Sequence, residues 1–241
     1  DELFGIGSNG EYKNVRFGLF AAEDITAANG TSIPAGGLIS EISLEEDMSA
    51  QFDTALPFGK YYVQEIATDE HYVLNGEKYL VTFEYMGQDI QTVDIDCGEF
   101  ENIIKRGRIE GHKTDDKSEP LENAVFGLFR KDCKVFSESN AIMTAVSDEK
   151  GYFEFGNIPY GEYVVREIKA PRGYILSNKS YPVSISEDGE VIEITAENKP
   201  ITVEISKRDI YGNELKGAKM QIIDSEGNIV DEWTSDGTDH I

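Results

Sequence analysis

Three side chains that could react with one another share the apolar side of predicted strands: Lys113, Glu167 and Asn198. Residues two apart in a strand face the same side, which places Lys113 with Ile109 and Glu167 with Val165. Burying a lysine or glutamate without a partner costs on the order of several kcal/mol. We therefore interpret the three residues either as a polar cluster or as the components of an intramolecular amide (isopeptide) bond.

Burial would supply what such a bond requires. An amine attacks a carbonyl only when it is neutral, and burial lowers the pKa of a lysine while it raises the pKa of a glutamate. A neutral glutamate can hydrogen-bond the amide oxygen and relay protons until ammonia leaves. Holding both reactants in one core replaces the concentration that free side chains lack. The alternative is an unreacted Lys–Glu ion pair with the asparagine as its hydrogen-bond partner.

The elements that would position these residues occur more than once along the chain. Residues 14–20 (NVRFGLF) recur as 123–129 (NAVFGLF), and residues 57–66 (PFGKYYVQEI) recur as 159–168 (PYGEYVVREI). Self-similarity of this kind indicates tandem repeats. The repeats divide the chain into unit one (residues 1–104), unit two (residues 105–199) and unit three (residues 200–241).

Only unit two contains all three candidate residues. Glu65 and Asn102 hold the equivalent positions in unit one, whose matching lysine would precede the first residue. Lys207 is the matching lysine of unit three, eleven positions before Ala218, as the unit-two lysine is before Ala124. We interpret unit one as a repeat without its first strand and unit three as the N-terminal part of a repeat. Strand donation between molecules, which would join the orphan partners Asn102 and Lys207, is a further hypothesis.

The pattern within each unit predicts an all-β fold. Short alternating segments rich in Val, Ile, Tyr and Phe are separated by Gly, Asn, Asp and Pro, with one possible helical turn at residues 44–50. Units of about 100 residues with about seven strands are typical of β-sandwiches. The joints between units are short, which favours a rod-like array of tandem Ig-like or prealbumin-like sandwiches over flexibly linked beads.

Residues 159–174 (PYGEYVVREIKAPRGY), between a Lys-Thr-Asp opening and an Asn-Lys-Pro close, resemble the Cna-B-type (SpaA-like, prealbumin-like) domains of Gram-positive surface proteins and pilins. The resemblance covers unit two, most of unit one and the start of unit three. It implies a spontaneous bond between the first and last strands, with Lys113 as nucleophile, Asn198 as acyl donor and Glu167 as proton shuttle. Unit one departs from the motif at residues 67–72 (ATDEHY).

Composition limits the partners. A net charge of −24 argues against nucleic acid and anionic membrane as ligands. No apolar run is long enough to cross a membrane and no signal peptide opens the sequence, so we predict no membrane contact for these units. Cys97 and Cys133 form no CxxC pair and no cluster with the three histidines, so we predict free thiols, no metal site and no cofactor.

Two functional classes remain, and neither is an enzyme, because no catalytic motif for external substrates is present. Near-constant repeat spacing favours a monomeric stalk or shaft of an extracellular, cell-wall-anchored bacterial surface protein, with the anchor outside this sequence. The alternative is an adhesive module that binds a host or extracellular-matrix protein through its loops. Residues 21–37, the longest irregular region, are the candidate binding loop.

Overall fold

The computed structural model describes residues 3–27, 29–88 and 93–240, and its regular structure is almost entirely β-strand. In the described residues the helical segments are two short 3-10 turns, Glu11–Asn14 and Glu138–Asn140. Alternating apolar residues form the strands because one side of each sheet can then face a core while the other meets solvent. The predicted all-β class is confirmed.

Unit two is a sandwich of two sheets built from seven strands. One sheet has the strand order β11-β10-β13-β14, and the facing sheet has the order β12-β9-β15. The strands are β9 (Arg106–Asp115), β10 (Val125–Arg130), β11 (Met143–Val146), β12 (Tyr152–Pro159), β13 (Gly161–Lys169), β14 (Ser180–Ile185) and β15 (Val191–Asn198).

The first strand of unit two, β9, is the middle strand of its sheet. It pairs antiparallel with β12 and parallel with β15, so each of these edge strands depends on β9 for its ladder. The core between the two sheets is apolar and aromatic, and the rings of Phe126 and Phe153 stack across it at 3.8 Å. The first strand therefore organises half of the sandwich.

Unit one forms one four-stranded sheet, of order β4-β1-β5-β7, and two short ribbons, β2-β3 and β6-β8. The strands are β1 (Arg16–Ala21), β2 (Ile25–Thr26), β3 (Ser32–Ile33), β4 (Leu38–Ser43), β5 (Gly59–Ala67), β6 (Tyr72–Val73), β7 (Tyr79–Phe83) and β8 (Ile103–Ile104). The four-stranded sheet repeats the β11-β10-β13-β14 sheet of unit two, in which β10 and β13 correspond to β1 and β5.

The facing sheet has no counterpart in the described part of unit one. Residues 44–58 precede β5, at the position that β12 has in unit two. Residues 93–102 precede β8, at the position that β15 has in unit two. Neither segment contains a strand. In unit two both edge strands bond to β9, so the ladders of all three strands depend on one another.

Two local predictions in unit one differ from the structure. Residues 44–50 make a hydrogen-bonded turn, with the Met48 N–H donating to the Glu45 carbonyl oxygen at 2.9 Å, and no helix forms there. Residues 21–37 are not irregular, because strands β2 and β3 within them pair as a hairpin; Ala28 lies outside the described residues. Strands β2 and β3 have only two residues each, which is too short for an alternating pattern to be recognised in the sequence.

Unit three repeats the opening of unit two in its backbone hydrogen bonds. The Leu215 N–H donates to the Lys207 carbonyl oxygen at 2.7 Å, as the Leu121 N–H donates to that of Lys113 at 2.9 Å. Strands β16 (Lys219–Ile223) and β17 (Ile229–Thr234) then form an antiparallel pair. Lys207 is therefore the structural as well as the sequence counterpart of Lys113.

Units one and two touch at their joint. The ring of Phe4 packs edge-to-face on Tyr163 at 5.9 Å, and Arg130 donates to the Phe4 carbonyl oxygen at 3.4 Å. On the other side of the joint, the rings of His71 and Tyr160 meet at 4.9 Å. Phe4 thus contributes to the core of unit two although it precedes unit one's first strand.

Candidate functional site

The three candidate residues of unit two meet between its two sheets. Lys113 on β9 is fully buried, Glu167 on β13 is 3% exposed and Asn198 at the end of β15 is 2% exposed. In the parallel ladder Lys113 lies opposite Ala196, two positions from Asn198 and on the same side of the strand. Glu167 comes from the facing sheet, so the cluster joins the first, middle and last strands of the unit.

Glu167 is held by one donor on each carboxylate oxygen. Asn198 Nδ2 donates to Oε1 at 2.9 Å, and the backbone N–H of Ser177 donates to Oε2 at 2.8 Å. A carboxylate fixed at both oxygens cannot rotate away from the amide it contacts. The glutamate and the asparagine are therefore already aligned with each other, whatever the state of the lysine.

Lys113 is fixed through its backbone. Its N–H donates to the Gly151 carbonyl oxygen at 2.7 Å, and its own carbonyl oxygen accepts from the Leu121 N–H. Its Nζ donates to the Thr114 carbonyl oxygen at 2.7 Å, and no ion pair in the described part of the chain joins it to Glu167. The amine is thus buried with one neutral acceptor.

The electrostatics favour the uncharged forms of both groups. Burial lowers the pKa of the Lys113 amine, although nearby carboxylates, Glu167 foremost, pull it upward. Burial raises the pKa of Glu167, and the hydrogen bonds from Ser177 and Asn198 offset only part of that rise. The two pKa shifts favour the neutral amine, which can attack, and the protonated carboxyl group, which can give up a proton.

One polar atom of the cluster is left without a partner. Asn198 Oδ1 is buried and accepts no hydrogen bond from any described residue. An unsatisfied buried carbonyl oxygen costs about 1–3 kcal/mol, and a native structure keeps few of them. This oxygen belongs to the carbonyl group that a lysine would attack. The amide of Asn198 is therefore the group of the cluster whose hydrogen bonding is incomplete.

Unit one contains the same arrangement without the amine. Asn102 Nδ2 donates to Glu65 Oε1 at 2.7 Å, and the Asn75 N–H donates to Glu65 Oε2 at 2.7 Å. Asn102 also donates to the Thr68 hydroxyl at 2.7 Å, a contact with no counterpart among the hydrogen bonds of Asn198. Glu65 is buried, whereas Asn102 is only half-buried.

Lys207, the predicted lysine of unit three, is not joined to such partners in the described residues. It is exposed, and in the part of unit three that is described its side chain makes no hydrogen bond and no ion pair. The structure therefore assembles a complete trio in unit two, a glutamate–asparagine pair in unit one and a lone lysine in unit three.

Three contributors escaped the sequence interpretation. The N–H donors Ser177 and Asn75 end the repeated stretches 174–177 (YILS) and 72–75 (YVLN), so alignment of the repeats contained a signal for them. Gly151, which accepts from the Lys113 N–H, gave no signal, because a backbone contact leaves no mark on side-chain type.

Three further features concern the cysteines, possible metal ligands and possible membrane-spanning helices. Cys97 and Cys133 are free and half-buried, as expected. Among the described residues no three or more His, Cys, Asp or Glu side chains are grouped closely enough to hold a metal ion. No helix in that part of the chain is both long and apolar enough to cross a membrane.

The chain thus consists of related all-β repeat units, and the complete β-sandwich among the described residues, unit two, carries a buried Lys–Glu–Asn trio. Comparison with known families agrees with that class: the family model described as "SpaA: Prealbumin-like fold domain" matches residues 7–96 and 107–200. The chain belongs to this family, and the two matched segments fall within units one and two, apart from the last matched residue.

Curated relatives and a solved structure extend the comparison. The chain is 30% identical over 139 residues to the trypsin-resistant surface T6 protein of Streptococcus pyogenes, covering 54% of this chain and 25% of that protein. It is 30% identical over 112 residues to a collagen adhesin of Staphylococcus aureus, covering 45% of this chain and 9% of that protein. The Bacillus anthracis TIE protein shares the fold, with a TM-score of 0.59, 23% identity, and coverage of 97% of this chain and 40% of that one.

The chain spans only a quarter or less of the two curated relatives it matches. What it shares with them is a repeated domain and not a whole protein. Pilin-like prealbumin domains of Gram-positive surface proteins are thus the context in which its site is interpreted.

Proposed function

We propose that the chain is a segment of the stalk or shaft of a Gram-positive cell-surface protein, and that unit two locks itself with a bond between Lys113 Nζ and Asn198 Cγ. The observation that carries this proposal is the full burial of Lys113 beside the aligned Glu167–Asn198 pair. The parent protein would be extracellular and anchored to the cell wall, and these units would be monomeric and non-enzymatic.

The reaction follows from the positions of the three groups. The neutral amine of Lys113 attacks Cγ of Asn198, while Glu167 lies in hydrogen-bond contact with Nδ2 of the same amide. Glu167 then carries a proton from the attacking nitrogen to Nδ2. The Cγ–Nδ2 bond breaks, ammonia leaves, and a secondary amide joins the two side chains. No oxidant, metal or cofactor enters the balance.

The bond would change how unit two responds to a pulling force, because it would connect the first and last strands of the unit. Lys113 is near the end of β9 and Asn198 ends β15, so the bond would close nearly the whole of unit two into one covalent loop. The two strands are parallel neighbours, and force applied at the two ends of the unit would otherwise shear their backbone hydrogen bonds. A covalent link across that ladder suits a segment that transmits tension.

The test is the intact mass of the denatured chain. We expect the wild-type monomer to be lighter than its sequence by one ammonia, and the Glu167→Ala variant to have the full mass, because it lacks the proton relay. Glu65→Ala is the matched control, since Glu65 has the same fixed carboxylate but no lysine, and it should keep the wild-type loss. A wild-type chain of full mass would refute the bond.

An adhesive role is the second candidate, and the similarity to a collagen adhesin is the observation that favours it. Residues 29–31, between β2 and β3, are exposed and would form the contact loop. Saturable binding to immobilised collagen or another matrix protein, lost when residues 24–35 are shortened, would support that role. Binding that survives the deletion, or no binding, would leave the stalk as the function.

A further inference from the structure

Strand β7 of unit one is an edge strand whose outer side is open. It is the last strand of the sheet β4-β1-β5-β7, and among the described residues it pairs only with β5. Leu80 within it faces away from the core and is 77% exposed, although it is a large apolar side chain. An exposed, regular edge of this kind is a template for pairing with another strand.

The other edges of the two four-stranded sheets are protected. The ladder of β4 with β1 is interrupted by a register shift between Leu19 and Phe20, and β11 has only four residues. Pro182 lies in β14, and a proline on an edge strand hinders further pairing because it has no N–H to donate. Strand β7 has neither a register shift nor a proline, so it is the least protected of the four edges.

Comparison of the two units shows which backbone groups of β7 face the open side. Leu80 lies opposite Tyr62 in its ladder. Pro182 lies opposite Val164, the unit-two equivalent of Tyr62, so Leu80 and Pro182 hold the same position in the repeat. A proline within a ladder has its nitrogen on the side away from the partner strand. The N–H and C=O groups of Leu80, and those of Thr82 two residues on, therefore point away from β5, and no other described backbone group bonds to them.

The charges beside β7 allow the strand to pair with a second copy of itself. A two-fold axis at Val81 would place Lys78 of one copy opposite Glu84 of the other, and the same pair would form again on the far side of the axis. Both side chains are exposed, and neither forms an ion pair with another described residue. The edge is thus complementary to itself in charge.

The same register suits the backbone. Leu80 of one copy lies opposite Thr82 of the other, and these residues carry the N–H and C=O groups that face the open edge, so each such pair can exchange two hydrogen bonds. The two Leu80 side chains become diagonal neighbours, which covers part of their apolar surface. An axis at Leu80 would align the backbone equally well, but it would place Lys78 opposite Thr82 and Glu84 opposite Gly76. The charges therefore select the axis at Val81.

We propose that two copies of this chain pair side by side through β7, so that their sheets join into one continuous sheet with a Lys78–Glu84 pair at each end of the contact. The axis relates identical surfaces, so the contact closes as a dimer and does not extend into a filament. Strands of five residues bury little surface, so the chain is monomeric when dilute, as proposed above, and pairs where many copies are crowded together. The pairing uses no residue of the Lys113 site and can fail separately from it.

The experiment mixes two charge variants of the whole chain. In Lys78→Glu glutamates face glutamates across the axis, and in Glu84→Lys lysines face lysines, so each variant alone should stay monomeric. The mixture should form heterodimers, because every glutamate then meets a lysine. Sedimentation equilibrium at rising protein concentration measures the mass: wild type and the mixture should approach twice the chain mass. A reducing agent excludes disulfide-linked dimers through Cys97 or Cys133.

Two further variants separate the edge from the fold. Leu80→Pro should abolish the dimer and leave the circular dichroism spectrum unchanged, because Pro182 is accommodated at the same position of the repeat. Lys179→Glu is the matched charge control. Like Lys78, Lys179 is exposed and lies over a tyrosine ring, but it is beside the proline-protected edge β14, so this variant should dimerise as the wild type does.

Several outcomes would overturn the proposal. A wild-type chain that stays monomeric over the whole concentration range would do so. A dimer that survives Leu80→Pro would use another surface. Charge variants that dimerise separately as well as the wild type, or that fail to form heterodimers when mixed, would contradict the axis at Val81 and with it the contact.

Discussion

Units one and two fix a glutamate and an asparagine in the same way, yet only unit two brings a lysine to them. The Glu65 and Glu167 carboxylates each accept one side-chain amide and one backbone N–H, at distances between 2.7 and 2.9 Å. In both units β5 or β13 supplies the glutamate, the loop after it supplies the backbone N–H, and the asparagine comes from the end of β15 or from the residue before β8. The glutamate–asparagine pair does not require the lysine in order to form.

The difference between the units lies in the facing sheet. In unit two the strand that carries Lys113 also pairs with both edge strands, so the lysine and the facing sheet of the sandwich depend on the same strand. Asn198 is consequently 2% exposed, whereas Asn102 is only half-buried. The strand that supplies the amine therefore also completes the core, and burial in that core shifts the pKa values of the amine and the carboxyl group.

The largest expected effect comes from Lys113→Met, which makes unit two resemble unit one chemically. Loss of a cross-link that closes most of a domain removes about 4 kcal/mol, so the melting temperature of unit two should fall by roughly 15 °C or more. Calorimetry checks this, with Lys207→Met as the exposed control that should change nothing. A transition at the same or a higher temperature would mean that no bond had formed, because an apolar side chain in place of a buried amine is neutral or stabilising.

A smaller loss of stability is expected when the backbone contact between Gly151 and Lys113 is disturbed. A Cβ at Gly151 would lie 2.2 Å from the Lys113 carbonyl oxygen, at a φ of +74°. Gly151→Ala should therefore reduce the free energy of unfolding by about 2–4 kcal/mol and lower the cross-linked fraction of freshly made protein.

Gly173→Ala is the matched control for this variant. Its φ is +88°, and nothing lies within 4 Å of the added carbon, so it should show the strain alone, about 1–2 kcal/mol, with complete cross-linking. Denaturant unfolding and intact mass measure the two quantities. Equal cross-linking in both variants would remove Gly151 from the positioning of the lysine.

The rate of bond formation should depend on pH as a bell. At low pH both Lys113 and Glu167 hold protons and the amine cannot attack; at high pH both have lost them and no proton relay remains. Since burial raises the pKa of Glu167 and lowers the pKa of Lys113, both limbs should lie closer to neutral pH than the ordinary pKa values of the two groups.

Mass spectrometry of chains released from cell-free synthesis into buffers of different pH measures this rate. Glu167→Gln should remove the bell and leave only slow cross-linking or none. A wild-type rate that rises steadily with pH would show that Glu167 takes no part as an acid.

The smallest effect concerns the joint between the two units. Phe4→Ala removes the edge-to-face contact with Tyr163 and should lower the stability of unit two by about 1 kcal/mol, a shift of a few degrees in its melting temperature. Leu3→Ala is the control, because Leu3 is 57% exposed. Identical melting curves for the two variants would show that unit two folds without help from the segment before β1.

Much of the architecture followed from local pattern. Alternation and turn residues predicted the all-β class, repetition predicted that Glu65 and Asn102 would mirror Glu167 and Asn198, and strand parity placed Lys113 inside the core. These features are readable because side-chain direction in a strand has a period of two and repeats share one template.

Sequence by itself thus determined the strands, the repeats and which polar residues point inward, because these depend on residues close together in the chain. Only the tertiary structure decided that β9 lies in the middle of its sheet, that Gly151 and Ser177 hold the reactive groups through their backbones, and that Asn198 Oδ1 has no partner. Strand order and backbone contacts join residues distant in sequence, and neither depends on side-chain type. For that reason the pattern predicted the candidate residues, whereas the fold determined their geometry.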